Sequence, residues 1–147
     1  MTNTEKWLLK EMENMEGIDA HEHLPAEHVR LTEHFDAFTL FRQYTRLVMF
    51  SAGLDEETFL RMHNPDMSLD QRFDIFEQYR DLIRFSGPAR AAYIALQKFY
   101  GEQDLTRDNY ESVTARMREL YRPGLYENIL QNTCRIRAVM QNLDNPA

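Results

Sequence analysis

One cysteine in 147 residues, Cys134, leaves no partner for an internal disulfide and no thiolate set for a zinc site. It carries no signature of nucleophilic use and is expected to be a small apolar residue near a buried strand. No apolar run approaches the roughly 18 residues that span a bilayer, so a soluble chain without a membrane partner is expected. Positive charge is also scarce: 17 lysines and arginines stand against 24 aspartates and glutamates, a formal net charge of −7. Phosphate backbones and anionic lipid surfaces find no footing on such a chain, and no nucleic-acid partner is expected. The opening Met1–Trp7 has neither a basic region nor an apolar stretch of the kind that directs export, and the chain is read as cytoplasmic. There is no internal repeat, low-complexity tract or flexible linker.

What is present is enough apolar material for one core: 43% of residues are hydrophobic and 12% aromatic. Thr2 and Glu5 have capping-box spacing, and Trp7, Leu8, Met12 and Met15 predict a short amphipathic helix ending near Gly17. Ala26–His34 is polar and aperiodic, which predicts a loop. Ala37, Phe41, Tyr44 and Val48 recur at helical spacing, predicting one helix over Ala37–Ser51 with Gly53 as its stop and Tyr44 in its core stripe. Asp55 caps a short helix through Met62. His63 falls in a turn, and Ser68 with Gln71 opens a long helix. Gly87-Pro88 starts another helix that stops at Gly101, Thr106 caps the next, and a further short helix is expected over Leu125–Asn132.

Two strands frame these helices. Gly17-Ile18-Asp19-Ala20-His21-Glu22-His23 is the first, and Cys134–Met140 alternates like the second, with a polar end at Gln141–Asp144. About a hundred residues separate them, which suits a parallel pair joined by a helical crossover. A parallel sheet ordinarily has several members covered on both faces, so two strands read as the opening of a larger fold.

On a strand, side chains two apart share a face, so Asp19, His21 and His23 line up while Glu22 points away. Two imidazoles then converge as divalent-metal ligation requires, in a chemistry that suits zinc, iron, nickel or manganese. His-x-His alone is weak, because paired histidines also occur on plain surfaces. Its place at the polar end of a strand is stronger, since barrel and open α/β enzymes put their chemistry there. His28 and His34 lie near enough in sequence to extend the set to four. The arginine pairs Arg42/Arg46 and Arg80/Arg84, each one helical turn apart, suit either a substrate carboxylate or neighbouring acids.

Ile18–Leu24 resembles the first-strand signature of the amidohydrolase superfamily, and within it the uronate isomerase-like branch, where a large helical excursion follows the first strand. Phe35-Asp36, Ala52–Glu57 and the passage Gly124–Asp144 fall where that branch has similar segments. The resemblance implies a mainly α chain with two short parallel strands. These would form the first part of a (β/α)8 TIM barrel, with strand 1 near 18–23, a helical insertion near 35–132 and strand 2 near 135–141. It implies His21 and His23 as metal ligands, a divalent metal (zinc) as cofactor and a small-molecule substrate. It also matches Tyr44 to a substrate-pocket tyrosine. Where the isomerases carry a histidine before that tyrosine this chain has Gln43, and glutamine cannot shuttle a proton. The readings are thus a hydrolase segment, a sugar-acid isomerase segment, or a non-catalytic helical interaction module. Broad apolar stripes on the middle helices add a homo-oligomer to the expectations.

Overall fold

A computed structural model describes residues 1–142; Leu143 and Asp144, expected at the polar end of the second strand, lie outside the described residues. The elements in chain order are α1 (Asn3–Asn14), β1 (Gly17–Glu22), α2 (Glu27–Arg30), a 3-10 helix (Ala37–Phe41), α3 (Thr45–Ser51), α4 (Glu56–Met62) and α5 (Leu69–Ile83). After these come α6 (Gly87–Tyr100), α7 (Tyr110–Leu120), a π-helix (Glu127–Thr133) and β2 (Ile136–Gln141). The chain is therefore mainly helical with two short strands, and no helix among the described residues is long and apolar enough to cross a membrane. It divides into two compact units, one of Met1–Thr32 with Arg122–Ala147 and one of Glu33–Tyr121.

In the first unit β1 and β2 pair in parallel, Gly17 opposite Ile136 and Glu22 opposite Gln141, with the register slipping between Asp19 and Glu22. Neither strand has a buried face. The expected capping box opens α1: Thr2 accepts from the Glu5 N–H and Glu5 reaches back to the Thr2 N–H. That helix buries none of its residues, and Trp7, Leu8, Leu9, Met12 and Met15 all lie open. Ala26–His34 is not wholly a loop. Its α2 places Glu27 so that the carboxylate accepts from the backbone N–H groups of Tyr126 (2.8 Å) and Gly124 (2.9 Å). Those two donors hold the Glu27 carboxyl below its ordinary range. A partner a hundred residues away decides this local structure, which periodicity within the segment does not register. Cys134 is exposed, contrary to expectation, because it ends the π-helix before the strand begins.

The second unit has its own core, in which Phe38, Phe41, Phe73, Phe76, Ile83, Leu96, Val113 and Met117 are buried. Phe41 packs on Phe76 with ring centroids 4.6 Å apart, and Phe73 stacks on Tyr110 at 4.8 Å. Asp55 caps α4, Ser68 and Gln71 form the capping box of α5, and Gly101 closes α6 at φ +74, a conformation glycine adopts without penalty. The predicted helix over Ala37–Ser51 is instead two pieces. Asp36 caps a 3-10 turn through its own capping box with Thr39, and the chain re-enters helix only at Thr45. Helical register does not carry across that break, so Tyr44 leaves the core stripe and is 73% exposed. Thr106 does not cap α7 with its side chain. Asn109 occupies the cap position, and its side-chain oxygen accepts from the Thr106 N–H.

A buried ion pair lies within this apolar core. Asp36 and Arg72 meet at 2.7 Å with side chains 1% and 2% exposed. Asp36 also takes the Phe38 N–H and meets His34 Nε2 at 3.1 Å, while Arg72 Nε donates to the Met62 carbonyl at 2.6 Å. The guanidinium lies over the Phe38 ring, 4.8 Å from its centroid. Removing one partner of such a pair strands the other charge. Arg72→Met is therefore expected to lower unfolding stability by roughly 3–5 kcal/mol in urea titrations. A loss under about 1 kcal/mol contradicts the pair as drawn.

His63 lies in the turn after α4, as expected, but it is largely buried there. It caps the C-terminus of α4 with its ring against Phe59, 4.5 Å between centroids, and its buried Nε2 has no hydrogen-bond partner among the described residues. Burial pushes its pKa down to about 4, helped by the Arg42 and Arg72 charges and opposed by Asp36. The unfolded imidazole takes up its proton near pH 6.5, whereas the folded one resists until about pH 4. Stability from this residue is therefore whole above pH 7 and is lost as pH falls towards 4, by up to about 3 kcal/mol. His63→Phe lacks this titration, so its melting temperature should fall less than that of wild type between pH 7 and 4. An unchanged slope between pH 7 and 4 in the variant rules out His63 as the source.

Candidate metal site

β1 delivers His21 at its last turn of pleat and His23 just beyond its end. Both imidazoles are exposed, 5.2 Å apart between ring centroids and nearly perpendicular at 79°. Two imidazoles sharing one tetrahedral ion, with metal–nitrogen bonds of about 2.1 Å, place their centroids about 5 Å apart, so the observed spacing fits shared ligation. The irregular register between Asp19 and Glu22 lies at this point of the strand.

The neighbours of the two rings are polar. Asp19 Oδ1 accepts from the His21 N–H at 3.1 Å, and Glu22 Oε2 accepts from the His23 N–H at 3.2 Å, so both carboxylates are turned to the backbone. The Asn142 amide nitrogen stands 2.9 Å from His21 Nδ1 and 3.3 Å from Nε2. A neutral imidazole has one lone pair to offer, and this amide competes for it with any ion. The Asn142 N–H also donates to the Glu22 carbonyl at 2.7 Å, extending the ladder beyond β2. Among the described residues no three histidine, cysteine, aspartate or glutamate side chains gather around one point. His21 and His23 thus form a pair of ligands that a metal would need to supplement.

The remaining candidates are elsewhere. His28 is exposed on α2 in the same unit as the pair. His34 belongs to the second unit, where it is engaged by Asp36. Tyr44 belongs to that unit too, exposed at the start of α3 and preceded by an exposed Gln43. Of the arginine pairs, Arg46 meets Glu56 at 2.5 Å, Arg84 meets Asp104 at 2.7 Å and Arg80 meets Asp81 at 3.3 Å, so these three face neighbouring acids. Sequence reasoning passed over Asn142, because an amide carries no ligand signature. Its only clue was its place just past the strand that pairs with the histidines.

Comparison with protein-family models, with curated proteins and with solved structures finds no match to this chain.

Because the Asn142 amide occupies a lone pair of His21, Asn142→Ala is expected to bind zinc more tightly than wild type in calorimetric titrations, by roughly two- to tenfold. A variant that binds zinc more weakly than wild type shows that Asn142 supports the metal instead of competing with it.

Proposed function

We propose that this chain is the N-terminal segment of a metal-dependent amidohydrolase-like hydrolase. In this reading β1 and β2 are the first two strands of a (β/α)8 barrel, and the helices between them are an insertion after the first strand. The observation that carries it is the pair His21 and His23 at the carboxyl end of a strand in a parallel pair, with the ring spacing of shared ligation. A divalent ion held there, zinc on the resemblance, would supply an activated water and a Lewis acid for hydrolysis of a small-molecule substrate. The chain's own contribution is to hold two imidazoles in place. Asp19 and Glu22, through their bonds to the two histidine N–H groups, fix the backbone that presents them. The further ligands and the general base belong, on this reading, to later strands.

Gln43 favours the hydrolase over a uronate isomerase-like activity, because an amide does not exchange a proton at neutral pH. Tyr44, which the resemblance matches to a substrate-pocket tyrosine, is exposed next to it. The interaction-module reading draws on a different observation, the self-contained core of Glu33–Tyr121.

Metal content and turnover of the full gene product decide between them. His21→Ala and His23→Ala should each lose metal and activity together with little change in melting temperature, since both side chains are exposed. Glu22→Ala should retain its metal. Full occupancy in both histidine variants refutes the assignment.

A further inference from the structure

The strand pair has a second polar concavity at its other end. Because β1 and β2 run parallel, the end opposite His21 and His23 carries the start of β2, which opens on a cleft of about 360 Å3. Asn14, Glu16, Gln131, Arg135, Ile136 and Arg137 line it. Two departures from regular backbone meet there. Gln131 lies on the π-helix, and Arg135 holds φ +54, the one non-glycine residue in the left-handed region among those described. That conformation costs an L-residue about 1–2 kcal/mol, and both kinds of irregularity concentrate at functional sites.

The strained residue is also a cation in the cleft. Arg135 Nη1 donates to Asn14 Oδ1 at 3.2 Å, and Arg137 lines the same cleft from β2. The Arg137 side chain has no hydrogen-bond or ion-pair partner among the described residues, and neither does that of Glu16, the single carboxylate in the lining. Two guanidinium groups and one carboxylate in the lining leave one positive charge in excess. Guanidinium forks bind planar carboxylates through paired hydrogen bonds, and Gln131 and Asn14 add neutral amides. Glu16 repels a dianion but accepts a hydrogen bond from a hydroxyl or ammonium group. We propose that this cleft is a binding site for a small monocarboxylate bearing such a donor, separate from the histidine pair.

The test uses the whole chain, with lactate as probe and inorganic phosphate as comparison, followed by the backbone amide resonances of Gln131, Arg135 and Arg137. Lactate should shift these signals saturably with a Kd in the millimolar range, and phosphate should bind more weakly. Arg137→Gln should weaken lactate binding about tenfold while leaving the zinc response of His21 and His23 unchanged. Arg135→Gly relieves the backbone, so it should melt no lower than wild type and still lose lactate. Absence of saturable shifts overturns the proposal, as does lactate binding that Arg137→Gln leaves unweakened or phosphate binding more tightly than lactate. None of these outcomes touches the metal reading, which depends on the other end of the strands.

Discussion

The burial of Arg72 sets the terms for the helical unit. A guanidinium with 2% exposure is tolerable only where its charge and its donors are met. Asp36 meets the charge at 2.7 Å, the Met62 carbonyl takes Nε, and the Phe38 ring covers the face. Each of these partners fixes an element. Asp36 caps the 3-10 turn, Met62 ends α4, and Arg72 itself lies one turn into α5. Three elements are thereby tied at one polar point, and the aromatic packing of Phe38, Phe41, Phe73 and Phe76 is built around it. The positive charges of Arg42 and Arg72 also help keep His63 neutral.

The strand unit rests on different physics. Two parallel strands with no buried face contribute little hydrophobic energy, so its order comes from polar ties of long sequence reach. Glu27 takes the N–H groups of Gly124 and Tyr126, Tyr126 donates its hydroxyl to the Pro25 carbonyl, and Gln141 reaches the Leu24 carbonyl. The same openness leaves both ends of the pair accessible to ligands, the imidazoles at one and the arginine cleft at the other. Apolar residues of α1 lie open in this unit as well, Trp7 at 58% exposure. The barrel reading assigns such surface to further strands and helices.

Much of this architecture was legible because capping is local chemistry. Thr2 with Glu5, Asp55, Ser68 with Gln71, and Gly101 each announced a helix end within four residues, and each performs that role. The strands were legible from alternation and from the histidines at the end of the first. What failed involved partners distant in sequence or competition between local signals. The apolar period across Phe41–Val48 does not reveal that Asp36 and Thr39 close a 3-10 turn and break the helix, which moves Tyr44 to the surface. Nor does a single arginine between Gln71 and Phe73 announce itself as buried, since only a facing carboxylate permits it. Glu27 and the π-helix are of the same kind. The histidine pair was readable as two ligand-type residues on one strand, whereas the Asn142 amide beside His21 depends on the pairing of β1 with β2.

The account stands or falls on whether His21 and His23 act on one ion together. The direct measurement is a nitrogen–proton spectrum of the five histidine side chains as zinc is added to the whole chain. The account predicts that the ring nitrogens of His21 and His23 shift in concert and saturate at one equivalent, while His34 and His63, held by Asp36 and by burial, do not move. If His21 and His23 respond independently, or stay unmoved while other histidines respond, the pair is not a metal site.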